Sequence, residues 1–222
     1  MKFKGESHDI KLINFSVKLE EVLPFVPKSL NILQDNGRAI ISMVDVKLKN
    51  MFPSIAPFFK FGYRYVAFRL LLDDTIMTGN NKPKGVYFLK NFSNKFILNF
   101  LGNFLFNQKT THANIIDNYD AFSLRHGSKR LEYALDPYSK CSGEPFLHQK
   151  IHRIDRVYET NENGIFVSKI FKENYWPIEP IKCYYFSTDF FKTARFLGAF
   201  RVKEILSYTW NPPVLVSKKQ LK

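Results

Sequence analysis

Residues 29–48 read SLNILQDNGRAIISMVDVKL. At the centre of this stretch is the pair Asn36-Gly37, and both residue types tolerate the positive φ angles that a type I′ turn requires. The flanking segments Ser29–Leu33 and Arg38–Leu48 are rich in apolar residues. The stretch therefore predicts a β-hairpin that turns at Asn36-Gly37.

The sequence on both sides of this hairpin continues the β pattern. Phenylalanine occurs 23 times and tyrosine 11 times, and aromatic side chains favour the half-buried surface of a sheet. The predicted strands, separated by Gly, Asn and Pro, are Tyr63–Leu72, Gly85–Lys90, Thr110–Phe122, Lys129–Leu135, Phe146–Tyr158, Ile165–Lys172, Ile181–Phe186 and Arg201–Thr209. This density of short strands is typical of a barrel or a sandwich.

Three segments predict helices at the periphery of this β domain. Lys18–Leu23 is short and ends near Pro24, and Phe190–Leu197 follows residues suited to an N-cap. Asn94–Phe106 carries apolar residues at helical spacing, so we expect one face of it to pack against the core.

The length and composition predict one folded domain over residues 1–222. Of the 222 residues, 45% are apolar, and no repeat or flexible linker divides them. No stretch approaches the ~18 apolar residues of a membrane-spanning helix, and the charged amino terminus does not resemble a secretory signal. Two cysteines, Cys141 and Cys183, form no disulfide framework. We therefore expect a cytoplasmic protein without a membrane partner.

The chain is basic, with a net charge of +13 and a pI of about 9.6. Two concentrations of basic residues, Arg125–Arg130 and Lys150–Arg156, are candidates for a nucleic-acid-binding surface. No recognised nucleic-acid-binding motif accompanies them, and a solvated basic surface is the simpler explanation. Nucleic acid is therefore an alternative partner and not the leading one.

The common local signatures of enzymes are absent. The sequence contains no phosphate-binding Gly-rich loop, no Gly-x-Ser-x-Gly elbow and no His-Glu-x-x-His zinc helix. His148 and His152 fall in a predicted strand, where four residues span ~13 Å, too far for two ligands of one metal. We predict no metal site and no cofactor.

The order of several short segments resembles the YqjF-like family of unknown function, in the acetoacetate decarboxylase-like superfamily. The segments that carry the resemblance cover about residues 8–215 and read HDIKLINFSV (8–17), LPFVPKSL (23–30), NGRA (36–39), FGYRYV (61–66), KGVYFL (84–89), FLHQKIHRIDRVY (146–158), YWPI (175–178) and WNPP (210–213). The resemblance implies a mainly antiparallel, barrel-like β fold with a few helices outside it and a central ligand-sized cavity.

The resemblance also carries an expectation about catalysis. Decarboxylases of this superfamily form a Schiff base between a lysine and a β-keto acid, with an adjacent lysine that lowers the reactive pKa. Their lysine pair follows the strand that corresponds to Gly85–Leu89, where this chain has Lys90 and then Asn91. Their first-strand arginine corresponds to Ser16, and Tyr63–Leu72 contains no glutamate. The decarboxylase constellation is therefore incomplete.

Arg64 is the first candidate ligand-binding residue. In a strand it lies on the same side as Val66 and Phe68, and an arginine on an apolar face needs a carboxylate or an anionic ligand. The leading interpretation is a salt bridge, with Asp45 or Asp74 as partner. The alternative is an anchor for a ligand.

Lys90 is the second candidate. In a regular strand it shares a side with Val86 and Phe88, while Tyr87 and Leu89 face the core from the other side. Lys90 is then either an exposed residue at a strand end or the amine of a pocket.

Together these features predict a small-ligand-binding β-barrel for a small anion or carboxylate, with Arg64 and Lys90 as candidate ligand-binding residues. The first alternative is a Schiff-base lyase or related enzyme that uses Lys90. The second is a nucleic-acid-binding protein.

Overall fold

In the computed structural model the chain turns at Asn36-Gly37, as predicted, with φ angles of 49° and 72°. The turn joins β2 (Gln34–Asp35) to β3 (Arg38–Pro53). The first arm of the hairpin is therefore two residues long and does not extend over Ser29–Leu33. The structure describes residues 2–79, 82–96, 110–118, 121–136, 138–139, 145–152, 154–161, 164–172 and 177–218.

The other elements follow in chain order. The strands are β1 (Phe3–Lys18), β4 (Phe61–Leu71), β5 (Gly85–Ser93), β6 (Thr110–His112), β7 (Asn114–Asn118), β8 (Ala121–His126), β9 (Lys129–Asp136), β10 (Arg156–Asn161), β11 (Gly164–Lys172), β12 (Ile178–Thr188), β13 (Arg195–Val202), β14 (Leu206–Trp210) and β15 (Val214–Lys218). The helices are α1 (Leu19–Val22), a 3-10 turn (Leu23–Phe25), α2 (Thr75–Thr78) and α3 (Pro145–Ile151). The protein is mainly β with few helices, as predicted.

Seven strands close into a barrel in the order β1, β3, β4, β5, β10, β11, β14 and back to β1. Every strand of this ring contributes to one apolar core, through residues that include Leu12, Val44, Ala67, Val86, Val157, Ile170 and Leu206. The barrel-like architecture expected from the strand pattern is confirmed.

A second circuit of strands shares one side with this barrel. From Ile10 to Ser16, β1 pairs with β13, and the sheet continues through β12, β9, β8 and β7. The chain enters β7 from β6 through Ala113, and β6 pairs with β5. We call β1, β3, β4 and β5 the shared wall, because both circuits contain them.

The shared wall is buried on both faces. Along β1, Ile10 and Leu12 belong to the core of the seven-stranded barrel, whereas Ile13 and Phe15 belong to a second core on the opposite face. We call this second core the aromatic core, because six phenylalanine rings contact one another in it: Phe15, Phe68, Phe92, Phe186, Phe190 and Phe191. One of these rings, Phe92, also lines a cavity between the strands.

The predicted strand Phe146–Tyr158 is wrong over its first half. Leu147, Ile151 and Ile154 are buried at helical spacing, and the segment forms α3 before β10 begins at Arg156. His148 and His152 are consequently one helical turn apart, with ring centroids separated by 5.9 Å.

Several other boundaries differ from the sequence pattern. The helix predicted at Phe190–Leu197 is wrong, because the chain turns there and enters β13 at Arg195. Thr110–Phe122 spans β6, β7 and the start of β8, and Arg201–Thr209 spans two strands. Helix α1 and the 3-10 turn confirm the short helix at Lys18–Leu23. Most of the segment Asn94–Phe106 lies outside the described residues. None of the described helices has the length and apolarity needed to cross a membrane.

Candidate functional site

Lys90 lies on the face of β5 that looks into the aromatic core. The pairing of β4 with β5 joins Phe68 to Lys90 and Arg69 to Phe88, so Leu89 is an extra residue that forms a β-bulge. The bulge interrupts the alternation of side chains and brings the Lys90 ammonium 5.9 Å from the centroid of the Phe190 ring. The predicted grouping of Lys90 with Phe88 is therefore wrong, whereas Tyr87 belongs to the core as predicted.

Lys90 lines a cavity of about 280 Å³ at an opening between strands. On this edge β5 pairs with β10 at Gly85–Tyr87 and with β6 from Asn91 onwards. Among the residues that the structure describes, the bulged segment between them has neither neighbour, and the cavity lies there. Its polar lining includes Lys90, Tyr87, Asn91, Thr111, His126, Glu159 and Thr160.

The surroundings of Lys90 act on the pKa of its amine. Burial lowers the pKa of the Lys90 amine, and the positive charge of Lys129 lowers it further. Glu159 is 6% exposed and lines the same cavity, while the hydroxyls of Tyr87 and Thr160 are 3.1 Å apart and hydrogen-bonded. The cavity thus combines an amine of lowered pKa, a carboxylate and hydroxyl groups.

Arg64 forms a buried salt bridge with Asp45, as the leading interpretation predicted. Its Nε donates to Oδ1 of Asp45 at 2.7 Å and its Nη2 to Oδ2 at 2.6 Å. Tyr133 also donates to Oδ2 of Asp45, at 2.6 Å. The prediction of Asp74 as the other possible partner is wrong. Asp74 accepts hydrogen bonds from Tyr158 and from the backbone N–H of Lys84 instead.

Two further carboxylates complete an ion-pair cluster around Arg64. Nη1 of Arg64 donates to Asp9 at 2.8 Å and to Asp117 at 2.7 Å. Lys11 lies 3.0 Å from Asp117 and 3.4 Å from Asp9. Burial alone would lower the pKa of Arg64, but the hydrogen bonds and charges of Asp45, Asp117 and Asp9 outweigh burial and raise it.

The structure does not bring the two candidate residues together. Lys90 pairs with Phe68, and Arg64 lies four residues earlier on the same strand, a separation of roughly 13 Å along β4. Arg64 has protein partners for its charge, so the geometry gives it a structural use, and its role as a ligand anchor stays a prediction.

Among the described residues, no group of three or more His, Cys, Asp or Glu side chains is arranged to hold a metal ion. The basic segments are partly paired. Arg130 contacts Glu132, and Arg156 lies 2.7 Å from Asp155 and 3.6 Å from Asp74.

Comparisons with known proteins agree with the fold. A family model described as an uncharacterized conserved protein, DUF2071, matches residues 5–188, and the curated proteins contain no significant match. Acetoacetate decarboxylase from Legionella pneumophila superposes with a TM-score of 0.63 at 9% identity, over 100% of this chain and 89% of that one. An acetoacetate decarboxylase-like enzyme from Sphingomonas wittichii superposes with a TM-score of 0.64 at 8% identity, over 98% of this chain and 92% of that one.

The enduracididine biosynthesis enzyme MppR, in complex with a condensation product of pyruvate and imidazole 4-carboxaldehyde, is also similar. Its TM-score is 0.61 at 11% identity, over 98% of this chain and 90% of that one. At these identities the superpositions establish a common fold and nothing finer.

Proposed function

This chain belongs to the DUF2071 family of uncharacterized conserved proteins, and from that premise and its acetoacetate decarboxylase-like fold we propose that it binds a small carboxylate beside Lys90. The observation that carries the proposal is the placement of Lys90, whose amine lines a cavity on the inner face of β5. A carboxylate ligand would supply the negative charge that favours the protonated amine.

The size and the polar groups of the cavity support a ligand of few atoms. A volume of about 280 Å³ is at the lower limit for small-molecule pockets. Glu159 lies on the same lining; when ionised it would oppose negative charge beyond the one that Lys90 balances, and its oxygens would accept a hydrogen bond from a hydroxyl or a protonated group of the ligand. A monocarboxylate with one further polar group fits this lining better than a dicarboxylate does.

Replacing Lys90 with methionine should weaken carboxylate binding about tenfold or more, because a charge-assisted contact is lost. The measurement is a calorimetric titration with acetate, pyruvate and acetoacetate. Lys95→Met is the matched control, because Lys95 is exposed and nearby in sequence and should leave the affinity within twofold. Equal affinities in the parent and Lys90→Met would contradict the proposal.

A second candidate function is Schiff-base chemistry at the same amine, and the lowered pKa of Lys90 favours it. A neutral amine can attack a ketone carbonyl and form an imine with loss of water. MppR, which shares the fold, has been captured with pyruvate. A keto acid is therefore the substrate class to test.

Borohydride should then reduce an imine between Lys90 and a keto acid to a stable secondary amine, visible as a mass shift on the peptide that contains Lys90. Because the pKa of Lys90 is lowered, trapping should begin at a lower pH than reductive labelling of the exposed Lys28. Absence of any adduct with pyruvate, acetoacetate and related acids would remove the enzyme alternative and leave binding alone.

A further inference from the structure

A broad groove of about 810 Å³ lies beside the ion-pair cluster and shares no lining residue with the Lys90 cavity. Six cationic side chains line it: Lys11, Lys47, Lys49, Arg64, Arg201 and Lys203. Within the described ranges, the carboxylates on the lining are those of Asp9 and Asp117. The groove therefore carries an excess of positive charge.

The sheet pairing explains why these cations meet. Lys47 pairs with Arg64 across β3 and β4 and with His8 across β3 and β1. Lys11 pairs with Arg201 across β1 and β13. Cationic side chains thus stand on adjacent strands across one end of the shared wall.

Lys47 and Lys49 differ from the other cations of the groove. Both are exposed, and neither forms a salt bridge within 4 Å to any residue in the described ranges. Arg64 and Lys11 are held by the ion-pair cluster, and Lys203 lies 2.8 Å from Glu179. Lys49 pairs with Glu6 across β3 and β1, and its charge lowers the pKa of the Glu6 carboxyl, but neither lysine is held, within the described part of the chain, in a close ion pair that would exclude an anion.

Arg201, whose side chain is 26% exposed, also lines the groove and has a buried nitrogen that could donate to an anion. Its Nε is buried and has no hydrogen-bond acceptor in the part of the chain that the structure describes. The Glu179 carboxylate lies 3.8 Å away, beyond hydrogen-bond range. A buried N–H without an acceptor is destabilising, and an oxygen of a bound anion would remove that penalty.

The backbone next to the groove is also irregular. Asp9 has a φ of 48° and lies within a register shift between His8 and Lys11. Aspartate and asparagine adopt a positive φ more readily than other non-glycine residues, and such conformations are enriched at functional sites. The bulge directs the Asp9 carboxylate to Arg64.

We propose that this groove binds a multivalent organic anion of the phosphate-ester class that carries an apolar body. The phosphate would lie near Lys47, Lys49 and Arg201, and lysine is well suited to phosphate as a point charge. Ile205 and Tyr138, which are 62% and 92% exposed on the lining, offer apolar surface to the rest of the ligand. This site is separate from the Lys90 cavity, so either proposal can fail without the other.

The test is calorimetric titration of the whole chain with inorganic pyrophosphate and with phenyl phosphate. The double variant Lys47→Gln/Lys49→Gln should bind both probes about tenfold more weakly or worse, because two charge-assisted contacts are lost. Lys28→Gln/Lys82→Gln removes the same charge from exposed positions outside the groove and should change the affinities by less than twofold. Arg201→Gln should also lower the affinity of the protein for pyrophosphate.

Three results would overturn the proposal. Equal losses in the two double variants would mean that only the net charge attracts the anions. If neither probe binds at millimolar concentration, the groove is not an anion-binding site. Displacement of pyrophosphate by duplex DNA, with a log–log salt slope of about −5 for ~6 phosphate contacts, would reassign the groove to nucleic acid.

Discussion

Arg64→Met should lower the free energy of unfolding by about 3–5 kcal/mol, because the change leaves a buried carboxylate without its partner. Asp45 is 0% exposed and receives two hydrogen bonds from Arg64. Methionine keeps much of the side-chain volume, so the loss of charge dominates over the loss of packing. Urea unfolding at neutral pH, followed by circular dichroism, gives the difference in free energy.

A double variant separates the salt bridge from general damage. Arg64→Met/Asp45→Asn removes the stranded charge and keeps an oxygen that can accept the hydrogen bond of Tyr133. It should therefore be more stable than Arg64→Met alone. If the free energy of unfolding of Arg64→Met lies within about 1 kcal/mol of the parent value, the structural role of Arg64 is contradicted and the ligand-anchor alternative is favoured.

Phe68→Ala should lower the free energy of unfolding by a similar amount, roughly 3–5 kcal/mol, because it opens a cavity in a closely packed core. The Phe68 side chain is 0% exposed, and its ring centroid lies 5.2–6.3 Å from those of Phe15, Phe92, Phe190 and Phe191. The same unfolding measurement gives the loss.

Phe58→Ala is the control for Phe68→Ala. Phe58 is 86% exposed, so its truncation should change stability by less than about 0.5 kcal/mol. Similar losses at the two positions would show that the aromatic core is not the main source of stability in this region.

The parts of the fold that the sequence predicted well depend on local chemistry. Asn36-Gly37 specifies its own turn, because the required φ angles are a property of those two residues. The strand prediction for the segment that contains His148 is wrong because local chemistry does not decide its structure. Its apolar residues fit a strand by composition and a helix by spacing, and only the burial of Leu147 and Ile151 decides between them.

The candidate site shows the same division. Alternation along β4 correctly placed Arg64 on an apolar face, but it did not decide between Asp45 and Asp74 as the partner. The pairing of β3 with β4 brings Asp45 to Arg64. Asp9 and Asp117 are 55 and 53 residues from Arg64, and no local pattern indicates that they meet it. The orientation of Lys90 depends on the bulge at Leu89, which is a property of the pairing with β4 and not of either strand alone.

The shared wall has a consequence for how the protein melts. Both cores rest on the same four strands, one on each face, so neither core can lose its packing without exposing the back of the other. The two circuits are therefore not separate cooperative units, although each contains strands that the other lacks. Heat should disrupt them in a single transition, and amide protons of β1, β3, β4 and β5 should exchange with solvent only when the whole molecule unfolds.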